Sequence, residues 1–180
     1  MISYHMIVVI FFTFSLALIF NSDKTLNYEI FGQNSSPNPV DEIGLSSKIS
    51  GITCDAVEHL TFHNHTKLII KDQNHSLTIP AGIGIVPNEC IFWLHTHDDS
   101  GIIHIESPSE ISFSLGQFLQ VWNSFNQSSI IEEILQDKVQ VDASILLENS
   151  SFVEPTTPVP DIPLQNNAII TLDLKNLTGP

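Results

Sequence analysis

Leu60, Phe62, Leu68 and Ile70 alternate with His59, Thr61, Lys67 and Lys71, a period of two with a polar middle that predicts a half-buried β-strand. Asp72-Gln73-Asn74 supplies turn chemistry after it, and His75 to Ile79 reads as the returning strand of a hairpin. Pro80 to Pro87 is bounded by prolines and broken by Gly82 and Gly84, so a loop or tight crossing is expected there. Further strands are predicted at Ile91 to His97, Ile102 to Glu106 and Ile111 to Ser114. Leu115, Phe118, Leu119 and Trp122 then change to helical spacing behind Ser114 as N-cap, and a second short helix is expected over Ile130 to Leu135. Val139, Val141, Ala143, Ile145 and Leu147 return to a period of two, alternating with Gln140, Asp142 and Ser144. Glu154 to Pro163 is a Pro-rich extended connection, and Ile170, Leu172 and Leu174 mark the last strand. The pattern predicts a mainly β domain, an antiparallel sheet or sandwich, with one or two short helices.

The N-terminal end breaks with this pattern. Ile2 to Phe20 is almost wholly apolar and about long enough to cross a bilayer. It reads as a transmembrane or signal helix, and the lack of a small-x-small cleavage pattern in the residues after it favours an uncleaved anchor over a removed signal peptide. Asn21 to Ser50, with Gly32 to Pro39 at its centre, has the composition of a flexible stalk. The expected organisation is therefore a signal peptide or anchor over 1–22, a stalk over 23–50 and one β-rich domain over 51–176. The domain is expected outside the cytoplasm on a single-pass anchor, or secreted if the segment is removed.

Composition sharpens that placement. Twenty acidic residues face six basic ones, a net charge of −14 spread along the chain. Such a surface repels phosphate backbones, so nucleic acid is excluded as a partner, whereas cations are attracted. Asn-x-Ser/Thr occurs at Asn34, Asn64, Asn74, Asn126, Asn149 and Asn176. Chance predicts about two, and the excess suggests an exported glycoprotein, although Asn64, between His63 and His65, is an awkward place for a sugar. Cys54 and Cys90 are the only cysteines and most simply form one disulfide in an oxidising compartment. A thiolate ligand at Cys90 is the alternative, and requires a strand running unbroken from Cys90 to His95.

The chemistry concentrates in Trp93 to Glu106, where His95, His97, His104, Asp98, Asp99 and Glu106 surround a turn at Asp98 to Gly101. Strand residues i and i+2 share a face, so His95 and His97 are expected side by side, with His104 and Glu106 facing them from the returning strand. His63 and His65 repeat the His-x-His spacing on the earlier strand. Five imidazoles exceed the needs of one tetrahedral ion, so one or two ions are expected. With nitrogen and oxygen donors only, a thiolate-dependent blue-copper site is disfavoured; Zn(II) or type-2 Cu(II) fits. His5, His59 and His75 are read as ordinary surface or hydrogen-bonded histidines.

Cys90 to Asp98, Gly101 to Pro108 and Ser114 to Phe118 together resemble the signature of an uncharacterised family of exported, His-rich microbial domains, over roughly 52–175. The resemblance implies export and an intact histidine block acting as one unit, and implies no particular reaction. Members carry a further histidine where this chain has Lys67, so no ligand is expected at that position. The functional expectation is an extracytoplasmic Zn or Cu domain with its site on adjacent strands, its partners being the metal ion, the membrane through the N-terminal segment, and an unidentified surface protein. Two alternatives stay open. One is a zinc-dependent hydration or hydrolytic enzyme: His-x-His with a histidine on the neighbouring strand is similar to the zinc site of alpha-type carbonic anhydrases, with Glu106, Asp98 or Asp99 as the acid group and Glu106 and Asp99 the catalytic candidates. The other is a structural surface glycoprotein.

Overall fold

The computed structural model describes residues 47–73 and 75–175. The apolar N-terminal segment, almost all of the expected stalk, His5 and the sequons at Asn34, Asn74 and Asn176 lie outside the described residues. Among the described residues no helix is long and apolar enough to cross a membrane.

The organising element is the strand Phe62–Asp72, β3 in chain order. Its even positions Thr66, Leu68 and Ile70 are buried, and its odd positions His63, His65 and Lys67 project from the other face. Before it come β1 (Lys48–Ile49) and β2 (Ile52–Asp55); after it come β4 (His75–Leu77), β5 (Ile85–Val86), β6 (Cys90–Phe92), β7 (Leu94–His95) and β8 (Ile102–Ser107). Helices α1 (Leu115–Asn126) and α2 (Ser129–Leu135) follow, then β9 (Gln140–Leu146), β10 (Phe152–Val153), a 3-10 turn at Val159–Asp161, and β11 (Ala168–Lys175). One sheet has the order β1-β2-β6-β5; the larger runs β10-β9-β11-β3-β8-β7, with β4 also on β3. The mainly β class with two short helices is thus observed.

Three departures from the expected pattern matter for the site. First, the strand expected over Ile91 to His97 is broken at Trp93. Cys90–Phe92 pairs with β2 and β5, whereas Leu94–His95 pairs with β8 in the other sheet. The Trp93 amide donates to Thr53 O and its indole Nε1 to Asp55 Oδ2, which pins the crossing point. Second, the larger sheet is mixed, because β11 inserts between β9 and β3 and runs parallel to β3, with Ala168 beside Thr66 and Leu172 beside Ile70. Period-two alternation is the same for either strand direction, so the sequence carries no signal for this. Third, the segment expected as a strand over Ile111 to Ser114 makes a single bridge, Ser114 to Pro163, flanked by the Leu115 amide donating to Ile162 O and the Leu164 amide donating to Phe113 O. At the other edge of the pattern, Leu60 lies outside β3 and is exposed, and β1 falls inside the expected stalk.

The core-directed faces of β3, β8, β9 and β11 join Leu115, Phe118, Leu119 and Trp122 of α1 and Ile131 and Ile134 of α2 in one apolar cluster. Each fully buried Leu, Ile or Phe there contributes about 1.5–3 kcal/mol. Gln117 Oε1 accepts from the Ser114 amide at the start of α1, so the helix begins where the Ser N-cap predicts. Cys54 and Cys90 form a disulfide, which removes the thiolate-ligand alternative and ties β2 to β6.

Candidate metal centre

Register builds the site. On the face of the larger sheet away from the core, β3, β8 and β7 lie side by side with His65 opposite His104 and His104 opposite His95. Three imidazoles therefore stand in one row across three strands. In the next row His63 is opposite Glu106. A slip of one residue in either pairing would turn these side chains into the core, so the same alternation that buries Ile103, Ile105, Leu68 and Leu94 places the histidines.

Each His-x-His segment is held by a threonine. Thr96, between His95 and His97, is fully buried; its hydroxyl donates to Pro80 O and accepts from the Ile83 amide, while its own amide donates to Ile83 O. The loop Pro80 to Pro87 thus carries the chain past the end of β7, and His97, which lies beyond the strand, still meets His95. Gly84 is pressed onto this segment with φ +76; a Cβ there would lie 2.6 Å from Leu94 O and 3.0 Å from His95 Cβ. Thr66, next to His65, donates to Gln165 O, and the His65 backbone is clamped by the Asn166 side chain and the Asn167 amide. Asn64 is half-buried on the core-directed face opposite Ile105, where a glycan would have to displace packing. Asn126 and Asn149 are exposed.

The donor atoms converge. His63 Nε2 lies 3.1 Å from His65 Nε2, and His95 Nε2 lies 3.2 Å from His97 Nε2. Donors about 2.0–2.1 Å from a tetrahedral zinc ion stand about 3.3 Å from one another, so both pairs have ligand spacing. One donor atom from each of His95, His97, His104 and Glu106 lies within 4.8 Å of the others, and the same holds for His63, His65 and His104. Glu106 Oε1 sits 3.1 Å from His63 Nε2, 3.5 Å from His104 Nδ1 and 4.0 Å from His95 Nε2. The His95 Nδ1–H points at Phe92 O, 2.9 Å away, which leaves the lone pair on Nε2, the atom that faces the cluster.

Electrostatics agree with this donor chemistry. Burial holds His95 down at about 4, reinforced by His97, His104 and His63 and opposed by the Phe92 carbonyl. Burial likewise holds His104 at about 4, with His97, His65 and His63 adding to it, and burial lowers His65 beside His63 and His97. These imidazoles are neutral near pH 7, the form that ligates. Glu106, 2 % exposed, is raised above the usual carboxylate range by burial and by Glu58, against the pull of His63 and His97. Its Oε2 and the Nδ1 of His104 are buried without a hydrogen-bond partner. Buried polar atoms are rarely left so, and a cation would satisfy both.

Of the residues singled out from the sequence, His63, His65, His95, His97, His104 and Glu106 meet in one cluster. Asp99 does not: it stays in the exposed turn, lining a shallow hollow with Lys67, Ser76 and Ser100, and joins neither donor set. The neighbouring Asp98 is also exposed and is engaged with the Ser100 amide. Their separation from Glu106 is physical: a two-strand turn projects its tip beyond the ladder that carries the ligands. Lys67 follows His63 and His65 on the same face and is exposed, opposite Ile102. His59 lies beside the cluster, bonded to Asp55 at 2.6 Å, and His75 is exposed on β4. Glu58 was not legible in the sequence. From the segment between β2 and β3 its Oε1 reaches within 3.4 Å of His97 Nε2 and 3.9 Å of His95 Nε2. No periodicity marks it, because it lies in an irregular segment. Compared with known protein families, curated proteins and solved structures, the chain matches none.

Proposed function

We propose that this protein is an extracytoplasmic metal-binding domain for Zn(II) or Cu(II), held at the outer face of a membrane by its N-terminal segment. One observation carries the reading: His63, His95, His97 and His104 gather round a buried carboxylate, with His65 beside His63 and His104, and that carboxylate and His104 each keep a polar atom without a partner. Nitrogen and oxygen donors of this kind suit Zn(II) and Cu(II). The Cys54–Cys90 disulfide supports an oxidising compartment, as does the apolar N-terminal segment. His63, His97 and Glu58 keep the cluster open on one side, with relative side-chain exposures of 35 %, 43 % and 36 %, so an ion can enter and leave without unfolding the domain.

The same opening favours a second reading, zinc-dependent hydration or hydrolysis, in which His95, His97 and His104 hold the ion and water takes an open position. The test for both starts with metal content. The full chain loaded with Zn(II) or Cu(II) should retain stoichiometric metal after gel filtration, and lose it when His95, His97 and His104 are all changed to Ala. Absence of retained metal in the unaltered chain sinks both readings and leaves a structural surface protein. CO2 hydration by the zinc-loaded chain, abolished in the triple variant, would move the reading from binding to catalysis.

A further inference from the structure

The cluster holds more donors than one ion can use, and their arrangement is not random. His95 and His97 come from one side of β8 and His63 and His65 from the other, each pair at ligand spacing. Between them, on β8 itself, stand the two residues common to both sides. His104 belongs to both donor sets. Glu106 belongs to the first, and its Oε1 is also 3.1 Å from His63 Nε2 of the second. A single four-coordinate ion taking His95, His97, His104 and Glu106 would strand His63 and His65 with their nitrogens directed at each other. A single ion on His63, His65 and His104 would leave Glu106 Oε2 buried and unpaired.

Resting on the metal-binding reading above, we propose that the site is a two-ion centre in which the Glu106 carboxylate is shared by the two ions. The His95–His97 pair belongs to one ion and the His63–His65 pair to the other, and His104 completes the centre from between them. Glu106 Oε1 faces His63, His104 and His95 alike, so the carboxylate stands between the two pairs, and its Oε2 lacks a protein partner. Ions bridged in this way stand about 3.5–4 Å apart. The two positions differ in character. His95 is fully buried with its ring fixed by Phe92 O, whereas its pair-mate His97 and, in the other pair, His63 are open to solvent, at relative side-chain exposures of 43 % and 35 %. The ion that takes His95 is therefore expected to be the better retained of the two. Glu58 reaches the His95–His97 pair from the solvent side and can supply one further oxygen there.

The experiment is a Cu(II) titration of the metal-free full chain, read by bound copper per chain and by integrated electron paramagnetic resonance intensity. Two equivalents should bind, and the spin intensity per copper should fall well below one as the second site fills, because a shared carboxylate couples the two spins. The His63→Asn/His65→Asn double variant, changed on β3 alone, should bind one equivalent with nearly full spin intensity. Glu106→Gln, nearly isosteric, should bind copper but lose the coupling. One equivalent in the unaltered chain, unchanged in the double variant, overturns the two-ion centre while leaving metal binding intact. Two equivalents with full, uncoupled intensity overturn the shared carboxylate. No bound copper, with the far-ultraviolet circular dichroism of a folded chain, overturns the metal-binding reading itself and this inference with it.

Discussion

Lowering the pH should destabilise the metal-free protein steeply between about pH 7.5 and 4.5, above the range in which ordinary carboxylates titrate. The cause is His95, fully buried and held at about 4 in the fold against 6.5 for an ordinary histidine. The unfolded chain binds the proton first, so stability present above pH 6.5 is lost as pH falls toward 4. At pH 4.5 an unfolded His95 is almost fully protonated and the folded one about a quarter protonated, which by linkage amounts to about 2.5 kcal/mol lost relative to pH 7.5. His104, also held at about 4 but 20 % exposed, adds a smaller loss of the same sign. Glu106 acts oppositely: its raised carboxyl gives stability at low pH that is lost as pH rises through its folded value. The assay is urea unfolding of the chelator-stripped full chain at both pH values, with the disulfide intact. The midpoint should fall by about 1–2 M at m-values usual for a domain of this size. In His95→Gln the fall should shrink by more than half, whatever the variant's absolute stability. A midpoint independent of pH, or an undiminished fall in His95→Gln, would refute the assignment of the buried neutral imidazole.

Three further outcomes follow from the packing around the site. Thr96→Val keeps the shape but leaves Pro80 O and the Ile83 amide unpaired, and should cost about 2–4 kcal/mol in urea unfolding while weakening metal retention, because His95 and His97 share that anchor; unchanged stability would show that the loop does not depend on it. Gly84→Ala drives a Cβ into Leu94 O at a positive φ, and should both lower the thermal midpoint by several degrees and reduce metal affinity, whereas a silent substitution would contradict the close approach. Replacing both Cys54 and Cys90 by Ala opens a loop of sequence separation 36 and should cost about 4 kcal/mol on the loop-entropy model. A cost below about 1 kcal/mol would place the bracing of the site elsewhere.

Most of the candidate donors were legible in the residue pattern, whereas their arrangement in one cluster came from contacts between strands. Period-two alternation marked the faces of β3, β8, β9 and β11, and helical spacing marked α1, because burial of one face is imposed locally by the pleat or the helical turn. His-x-His spacing was legible for the same reason at His63 and His65, where one strand carries both. At His95 and His97 the spacing led to the right neighbours by the wrong geometry: the strand ends at His95, and Thr96 with the Pro80 to Pro87 loop brings His97 back. What alternation cannot contain is register and order between strands. His104 faces both His65 and His95 only because β8 lies between β3 and β7, and Glu106 is buried among them rather than exposed near Asp99 for that same reason. Glu58 enters from an irregular segment, and β11 lies parallel to β3. Both follow from contacts between residues far apart in the chain, whose energies depend on neighbours that no local pattern records.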